Sequence, residues 1–354
     1  MTSITRRDLL KSMSLLAVSP LITPPGVRSQ MCLAYTSFAV RLLQGRDILK
    51  STAAALPAGS FLDLCVQFGA GGAQLDWSQL ESHEADALTA LRQRVERDHL
   101  TLELSVPSSC LETPEAYAEM ARVASALGVT RLRVALLYGR RYESFKTREE
   151  WTAWRSKWHG TLTSMRSTID RYPLLVGIEN HKDLHARELA ELLTALDSPR
   201  IGACVDFGNN ISLLESPMET MKALAPFAVT THLKDMAVRQ TADGFELSEV
   251  PLGEGLLPLA DMIAELKAHR PEAPLCLEMI TRDPLKVPYK TDAYWIAIDR
   301  PEADGLARFE RDVLGKGWTR ELPHITGQSS AQQVADEDAN IRRSMDYARG
   351  TLHL

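Results

Sequence analysis

Gly177-Ile178-Glu179-Asn180-His181 ends an apolar run, Leu174-Leu175-Val176-Gly177-Ile178, in a carboxylate, an amide and an imidazole, and a helix-patterned segment, 184–196, follows at once. A buried parallel strand that stops in polar residues ahead of a helix delivers them to the rim of an α/β sheet. The same event recurs downstream: Ile201-Gly202-Ala203-Cys204-Val205 ends in Asp206, Ala228-Val229-Thr230-Thr231 in His232, and Pro274-Leu275-Cys276-Leu277 in Glu278. Side chains alternate along a strand, so each terminal group shares a face with the residue two before it. Those residues are Gly177, Cys204, Thr230 and Cys276, all small, as suits positions beneath converging polar groups. On the other face Ile178, Val205 and Leu277 are large and apolar, fit to pack on outer helices, with Thr231 the exception. Glu179, Asp206, His232 and Glu278 together form a candidate divalent-metal site.

Upstream the same rhythm runs back to Met31. Strands are expected at 32–38, 73–77, 100–106 and 131–137, with helices at 61–68, 84–98, 113–127 and 149–172. Thr113 is placed to cap its helix with Pro114 at the first helical position, and Gly128 to end it. Strand and helix alternating about eight times is the signature of a TIM (β/α)8 barrel. A doubly wound open sheet is the alternative. It is disfavoured because no G-x-G-x-x-G follows the first strand and the polar strand ends continue through the whole second half. Beyond Ile280 the repeat stops, and helices are expected at 301–314 and 334–352. In the second, Ile341, Met345, Ala348 and Leu352 line one face, fit to pack on the barrel or on a neighbouring subunit of a homo-oligomer. The division is therefore 1–29 as export signal and linker, 30–282 as barrel and 283–354 as a C-terminal helical extension.

Across 354 residues, 45% hydrophobic and 24% charged content describes a soluble globular chain with ample core. A net charge of -6 argues against a general nucleic-acid binder. Three of the five cysteines, Cys32, Cys204 and Cys276, fall inside core strands and read as apolar fillers rather than a disulfide framework. Thr5-Arg6-Arg7-Asp8-Leu9-Leu10-Lys11 resembles the twin-arginine export signal. The apolar run after it, 13–22, is too short and too Pro-interrupted to span a membrane. The expectation is a periplasmic protein with no stable membrane anchor.

A barrel brings all its strand C-termini to one face, so the four strand-end groups converge there. Carboxylates crowded together repel and take up protons unless a cation neutralises them. Three oxygen donors and one imidazole suit one divalent ion, Mn²⁺ ahead of Co²⁺, Zn²⁺ or Mg²⁺. His181 and Lys234 each lie two residues past a ligand and point to the same rim. Lys234 is a candidate base or stabiliser of an enolate oxygen, or else a counter-charge to Asp235 or the carboxylate cluster. His181 is a candidate substrate contact or proton shuttle, or else packs over the rim. Arg140, with Arg141 and Tyr142 in the basic loop 138–148, is a candidate to close over substrate, or else part of a solvated loop. Trp151, Trp154 and Trp158 have helical spacing and read as core, and Gly253-Glu254-Gly255 reads as a turn.

Ile178-Glu179-Asn180-His181, Val205-Asp206-Phe207-Gly208-Asn209, His232-Leu233-Lys234-Asp235, Pro251-Leu252-Gly253-Glu254-Gly255 and Leu277-Glu278 fall in the order seen in the xylose-isomerase-like TIM barrels, which this chain resembles over roughly 31–280. The resemblance implies that Glu179, Asp206, His232 and Glu278 bind a divalent metal. It also implies that Glu179 and Glu278 exchange substrate protons, as in the family's ketose 3-epimerases. Those epimerases carry a histidine three residues after the aspartate. Here that residue is Asn209, which becomes a candidate substrate contact. The AP-endonuclease branch needs a histidine-rich trinuclear zinc site, and the nine histidines of this chain are mostly in helices, loops and tails. The expected function is a metal-dependent isomerase or epimerase acting next to a carbonyl on an unphosphorylated sugar or sugar derivative. The alternatives are a lyase or hydrolase of 3-keto-glycosides through the same enolate, and a non-catalytic carbohydrate-binding barrel.

Overall fold

A computed structural model of the chain describes residues 29–42 and 56–354. In chain order its strands are β1 (Cys32–Ala34), β2 (Gly72–Asp76), β3 (Thr101–Ser105), β4 (Arg131–Val134), β5 (Leu175–Glu179), β6 (Ile201–Asp206), β7 (Ala228–His232), β8 (Asp235–Gln240), β9 (Phe245–Val250), β10 (Cys276–Leu277) and β11 (Leu285–Val287). Eight of them form one parallel sheet in the order β10-β1-β2-β3-β4-β5-β6-β7. The sheet closes on itself through Leu233, just past β7. Its N–H donates to Cys276 O at 2.7 Å, and its C=O accepts from Glu278 N–H at 2.9 Å. The result is a TIM barrel wrapped by the helices Ala58–Gln67, Ala85–Arg97, Pro114–Leu127, Arg148–Ile169, Ala186–Leu196, Pro217–Leu224 and Leu259–His269.

Local chemistry sets these boundaries. The Thr113 hydroxyl accepts from Ala116 N–H at 3.2 Å, Pro114 opens the helix, and Gly128 ends it with φ at +74°, a left-handed conformation that favours glycine. Ile178, Val205 and Leu277 are fully buried, as strand residues packed under outer helices should be. All five cysteines are free and buried. Between β6 and β7 the register shifts at Ala203/Cys204, and the shift leaves Asp206 directly beside His232. No helix of the described residues is long and apolar enough to cross a membrane. The twin-arginine motif lies outside the described residues.

The structure corrects the expected elements in three places. β1 stops at Ala34 and turns into a 3-10 segment, Tyr35–Phe38, in which Thr36 and Ser37 donate to Glu278 Oε1 and Leu277 O, both at 2.9 Å. β4 likewise ends at Val134, and a helical turn, Arg141–Ser144, folds into the long loop after it. The third departure is the largest. Between β7 and the next helix the chain inserts the antiparallel hairpin β8–β9, extended by β11 into a three-stranded sheet.

In the extension, the helix Ser330–Tyr347 buries Ile341 and Met345 on the barrel it belongs to, with Ala348 buried in the turn that follows. Its Glu337 is also buried and accepts from Val40 N–H at 2.6 Å, which fixes the extension to the segment after β1. The helix expected at 301–314 is shorter, Ala303–Asp312, with a 3-10 turn after it.

Candidate metal centre

Glu179, Asp206 and His232 are the last residues of β5, β6 and β7, and Glu278 directly follows β10. One donor atom from each lies within 4.8 Å of the others, and all four side chains are buried. His232 Nδ1 stands 3.1 Å from Glu179 Oε1, 3.3 Å from Glu278 Oε1 and 3.9 Å from Asp206 Oδ2. The residues beneath are small for a geometric reason. A Cβ on Gly177 would lie 3.0 Å from the backbone nitrogen of Cys204 on the neighbouring strand.

Each ligand is held by a partner of its own. Asn180 donates to Asp206 O at 2.9 Å and accepts from Asp206 N–H at 2.8 Å, a two-point clamp that extends the pairing of β5 with β6 beyond the last residue of β5. Asp206 Oδ1 accepts from Gly208 N–H at 2.9 Å and Asn209 N–H at 2.7 Å. Oδ2 is left without a well-aligned donor, with the Lys234 ammonium 2.8 Å away. His232 Nε2 meets Gln74 Oε1 at 2.8 Å, and Gln74 Nε2 donates to Glu103 at 3.1 Å. The amide oxygen accepts, so Nε2 carries a proton, and an ion at Nδ1 would displace the proton that Nδ1 shares with Glu179 Oε1. Glu103 also accepts from Thr230 at 2.7 Å, which anchors this chain to β7. Thr36 and Lys234 bond the two oxygens of Glu278.

The electrostatics follow from burial and neighbours. Burial alone would raise the Glu179 carboxyl, but Arg133 first, then His232 and His181, outweigh it and hold it well below the usual carboxylate range. At Glu278 burial is likewise overcome, by His232 and Lys234. At Asp206 burial wins and the carboxyl is raised, with Glu278 and Glu179 adding to it against Lys234. Three carboxylates thus face Arg133, Lys234 and the imidazole of His232, whose pKa burial would lower but Glu278 and Glu179 raise. These carboxylates and the imidazole, with one donor atom from each within 4.8 Å of the others, fit a divalent cation held by Glu179, Asp206, His232 and Glu278.

A cavity of about 280 Å³ opens on this cluster. Its walls include Tyr35, Tyr138, Arg140, His181, Lys182 and Arg282, and Glu278 is the ligand candidate among its lining residues. His181 Nδ1 donates to Leu137 O at 2.7 Å, leaving Nε2 as an acceptor; burial first of all pushes its pKa down to about 3, so the ring is neutral. Arg140 lines the cavity and pairs with Glu143 at 2.6 Å. Asn209 does not reach the cavity. It is fully buried, donates to Glu179 Oε1 at 3.2 Å and accepts from Lys182 and Lys234, so it braces the cluster from behind.

Lys234 is the counter-charge of Asp206 and Glu278. Burial would lower its pKa, but these carboxylates raise it. Asp235 instead accepts from the backbone N–H groups of Gly253 and Gly255, both at 2.9 Å, and so folds the Gly-Glu-Gly turn. Trp151 and Trp158 are buried, and Trp154 lines a separate groove of about 250 Å³ between helices, sharing no residue with the cavity.

Sequence reasoning missed Arg133, Gln74 and Lys182. Arg133 on β4 is 2% exposed, pairs with Glu179 and donates to Ser105 at 3.1 Å. Its signal was present in the alternation Arg131-Leu132-Arg133-Val134, whose polar face points into the barrel while Leu132 and Val134 pack on the other side.

Comparison with known proteins agrees with this geometry. The family model described as "Xylose isomerase-like TIM barrel" matches residues 62–298. A 3-oxo-isoapionate decarboxylase of Pectobacterium atrosepticum is 29% identical over 205 residues, which cover 57% of this chain and 70% of that one. A D-psicose 3-epimerase structure aligns with a TM-score of 0.55 at 11% identity, over 91% of this chain and 99% of its own. A xylose isomerase-like TIM barrel protein from Mycobacterium smegmatis in complex with magnesium aligns with a TM-score of 0.51 at 14% identity, over 82% and 97%. At such identities the two structures speak for the fold. The match of the family model over most of the chain carries the assignment: this protein belongs to the xylose isomerase-like TIM barrel family.

Proposed function

We propose that the protein is a divalent-metal-dependent enzyme acting by proton transfer next to a carbonyl on an unphosphorylated sugar or sugar derivative. The observation that carries this reading is the position of Glu278, at once within the four-residue donor cluster and in the wall of the cavity. A cation bound by the cluster supplies the Lewis acidity that makes a proton beside a carbonyl removable. Glu278 is the carboxylate positioned to take that proton, because Glu179 is fully buried and tied to Arg133. Lys234 keeps Glu278 ionised, and as a fixed ammonium it suits stabilisation of developing negative charge better than proton removal. His181, neutral with Nε2 free to accept, is suited to a substrate hydroxyl. The unphosphorylated substrate is supported by the Gly253-Glu254-Gly255 turn, whose glycine amides are occupied by Asp235.

Return of a proton on the opposite face gives epimerisation, and departure of a group from the next carbon gives elimination. The relative from Pectobacterium atrosepticum is by its name a decarboxylase of an oxo acid, a reaction that reaches an enolate by loss of CO₂ instead of a proton, so it supports enolate chemistry beside a carbonyl without choosing between the two outcomes. Both outcomes are tested by one experiment. In D₂O the metal-loaded protein should wash deuterium into substrate or product at the carbon beside the carbonyl, and Glu278→Gln should abolish it. Turnover with no label in either overturns the proton-transfer reading, once a base that returns its own proton has been excluded by substrate labelled at that carbon. The export reading rests on the motif Thr5-Arg6-Arg7-Asp8-Leu9-Leu10-Lys11 and the apolar run after it. Replacing Arg6 and Arg7 with lysine should retain the protein in the cytoplasm, and unchanged fractionation removes the periplasmic assignment.

A further inference from the structure

Lys182 is the cation in the cavity wall that forms no ion pair among the described residues. It is 5% exposed, and the sole hydrogen bond of its ammonium among the described residues is to the Asn209 amide oxygen. No carboxylate of the described residues lies within ion-pair distance of it. The other cavity cations are each matched: Arg133 by Glu179, Arg140 by Glu143 and Arg282 by Glu249 at 2.5 Å. Burial, followed by the nearby charges of Lys234 and Arg282 and against those of Asp206 and Glu249, pulls the Lys182 pKa down to about 8. A buried, unpaired ammonium is costly, and proteins seldom keep one without a use.

The backbone is also committed to this placement. Lys182 has φ at +64°, in the left-handed region that a side chain with a Cβ enters at a cost. The conformation is held from both sides. Lys182 O accepts from Arg141 N–H at 2.9 Å, while Asp183 Oδ1 accepts from His181 N–H at 3.1 Å and Leu184 N–H at 2.8 Å. Those bonds spend loop geometry on holding a long cationic side chain against the cavity.

We propose that Lys182 anchors a substrate carboxylate, so that the cavity selects a sugar acid over the corresponding neutral sugar. The unmatched ammonium supplies the charge, and Tyr35, Thr36, Tyr138 and His181 supply hydroxyl and ring partners for a polyhydroxylated chain. A carboxylate fits better than a phosphate. One ammonium without an ion pair matches one negative charge, and the cavity wall has no glycine-rich loop opening a helix, the arrangement that usually cradles phosphate. The proposal deepens the function given above and rests on it for the use of this cavity.

The test is direct binding. Full-length protein loaded with Mn²⁺ is titrated calorimetrically with five- and six-carbon aldonates, the matching alditols and the matching sugar phosphates. A charge-assisted hydrogen bond to the anchor predicts that the best aldonate binds roughly tenfold or more tighter than its alditol. Lys182→Met should bring the two within about threefold by removing that bond, with alditol affinity unchanged. Removal of an unpaired buried charge should also leave the thermal midpoint equal or higher, which separates lost recognition from lost folding.

Equal wild-type affinities for aldonate and alditol overturn the proposal without reference to any variant. So does a preference that survives Lys182→Met, and so does tighter binding of the phosphates than of the aldonates. The two readings fail separately. Deuterium exchange into neutral sugars with no preference for acids sinks only the carboxylate anchor. Lys182-dependent aldonate binding by a protein that exchanges no label sinks only the reaction.

Discussion

Arg133 and Arg141 are buried almost equally, at 2% and 1% exposure, in two regions built differently. Arg133 stands in the barrel mouth with Glu179 as its charged partner. Arg141 stands in the seam between the fourth loop, the fifth loop and the C-terminal segment. It donates to Ala297 O at 2.8 Å and Asp183 O at 3.2 Å, pairs with Glu188 at 2.7 Å, and lies 3.6 Å from the centre of a Trp151 ring. Burial lowers the pKa of Arg141, with Glu188 only partly offsetting it, whereas at Arg133 Glu179 outweighs burial and the pKa is raised. The seam arginine is satisfied by two main-chain carbonyls, the Glu188 carboxylate and the Trp151 ring. The mouth arginine is satisfied by a carboxylate that also belongs to the candidate ion site. Burial by itself therefore does not separate frame from site; what a buried charge is paired with does.

The strongest way to break this distinction is at the ligands. Wild type should hold about one divalent ion per chain, and Asp206→Ala or His232→Ala should lose it, because a site short of one ligand in four loses charge and geometry together. Elemental analysis reads this directly, and ion retained by both variants refutes the site.

Next come the arginines themselves. Arg133→Met leaves Glu179 buried without its cation and should destabilise the metal-free protein by about 3–5 kcal/mol in urea unfolding. Saturating Mn²⁺ should recover most of that loss. Arg141→Met should be destabilising too, but with the same metal-dependent gain as wild type. Equal recovery in both variants would erase the contrast between mouth and seam.

A smaller effect sharpens it. Gln74→Leu removes the acceptor that fixes the His232 tautomer, and ion affinity should fall roughly 10–100-fold while the fold is kept. Competition with a fluorescent chelator measures it. The smallest effect belongs to the frame alone: Thr113→Ala should cost about 1 kcal/mol through its lost helix cap. Its ion affinity should equal that of wild type.

These cases also mark how far the sequence was readable. The convergence of Glu179, Asp206, His232 and Glu278 was legible because each ends an apolar run, and the barrel rhythm says that such ends meet. Arg133 was not, because period-two alternation distinguishes two faces without saying which points inward, and a polar barrel interior reverses the usual assumption. Lys182 looked like any loop lysine, since its significance lies in a backbone conformation and in partners it lacks. The hairpin β8–β9 was overlooked although Asp243-Gly244 sits between two alternating runs, a hairpin signal. The expectation of a helix after every strand hid it. Asn209 was read as a substrate contact from its place beside the candidate ligands, and its short side chain is bonded to Glu179, Lys182 and Lys234.

The Asn180 clamp divides this barrel into an inherited part and an editable one. Because a side chain on one strand end grips both backbone groups of Asp206 on the next, the spacing of the donors is set by main-chain register and does not depend on what the loops beyond contain. Arg140, Tyr138 and Lys182 all lie in those loops. Transplanting residues 138–145 and 181–184 from a relative with a different substrate should therefore exchange selectivity in one step while ion affinity is carried over. Such a partition lets a lineage acquire new chemistry at the mouth without reinventing the centre, and it gives an engineer the same freedom.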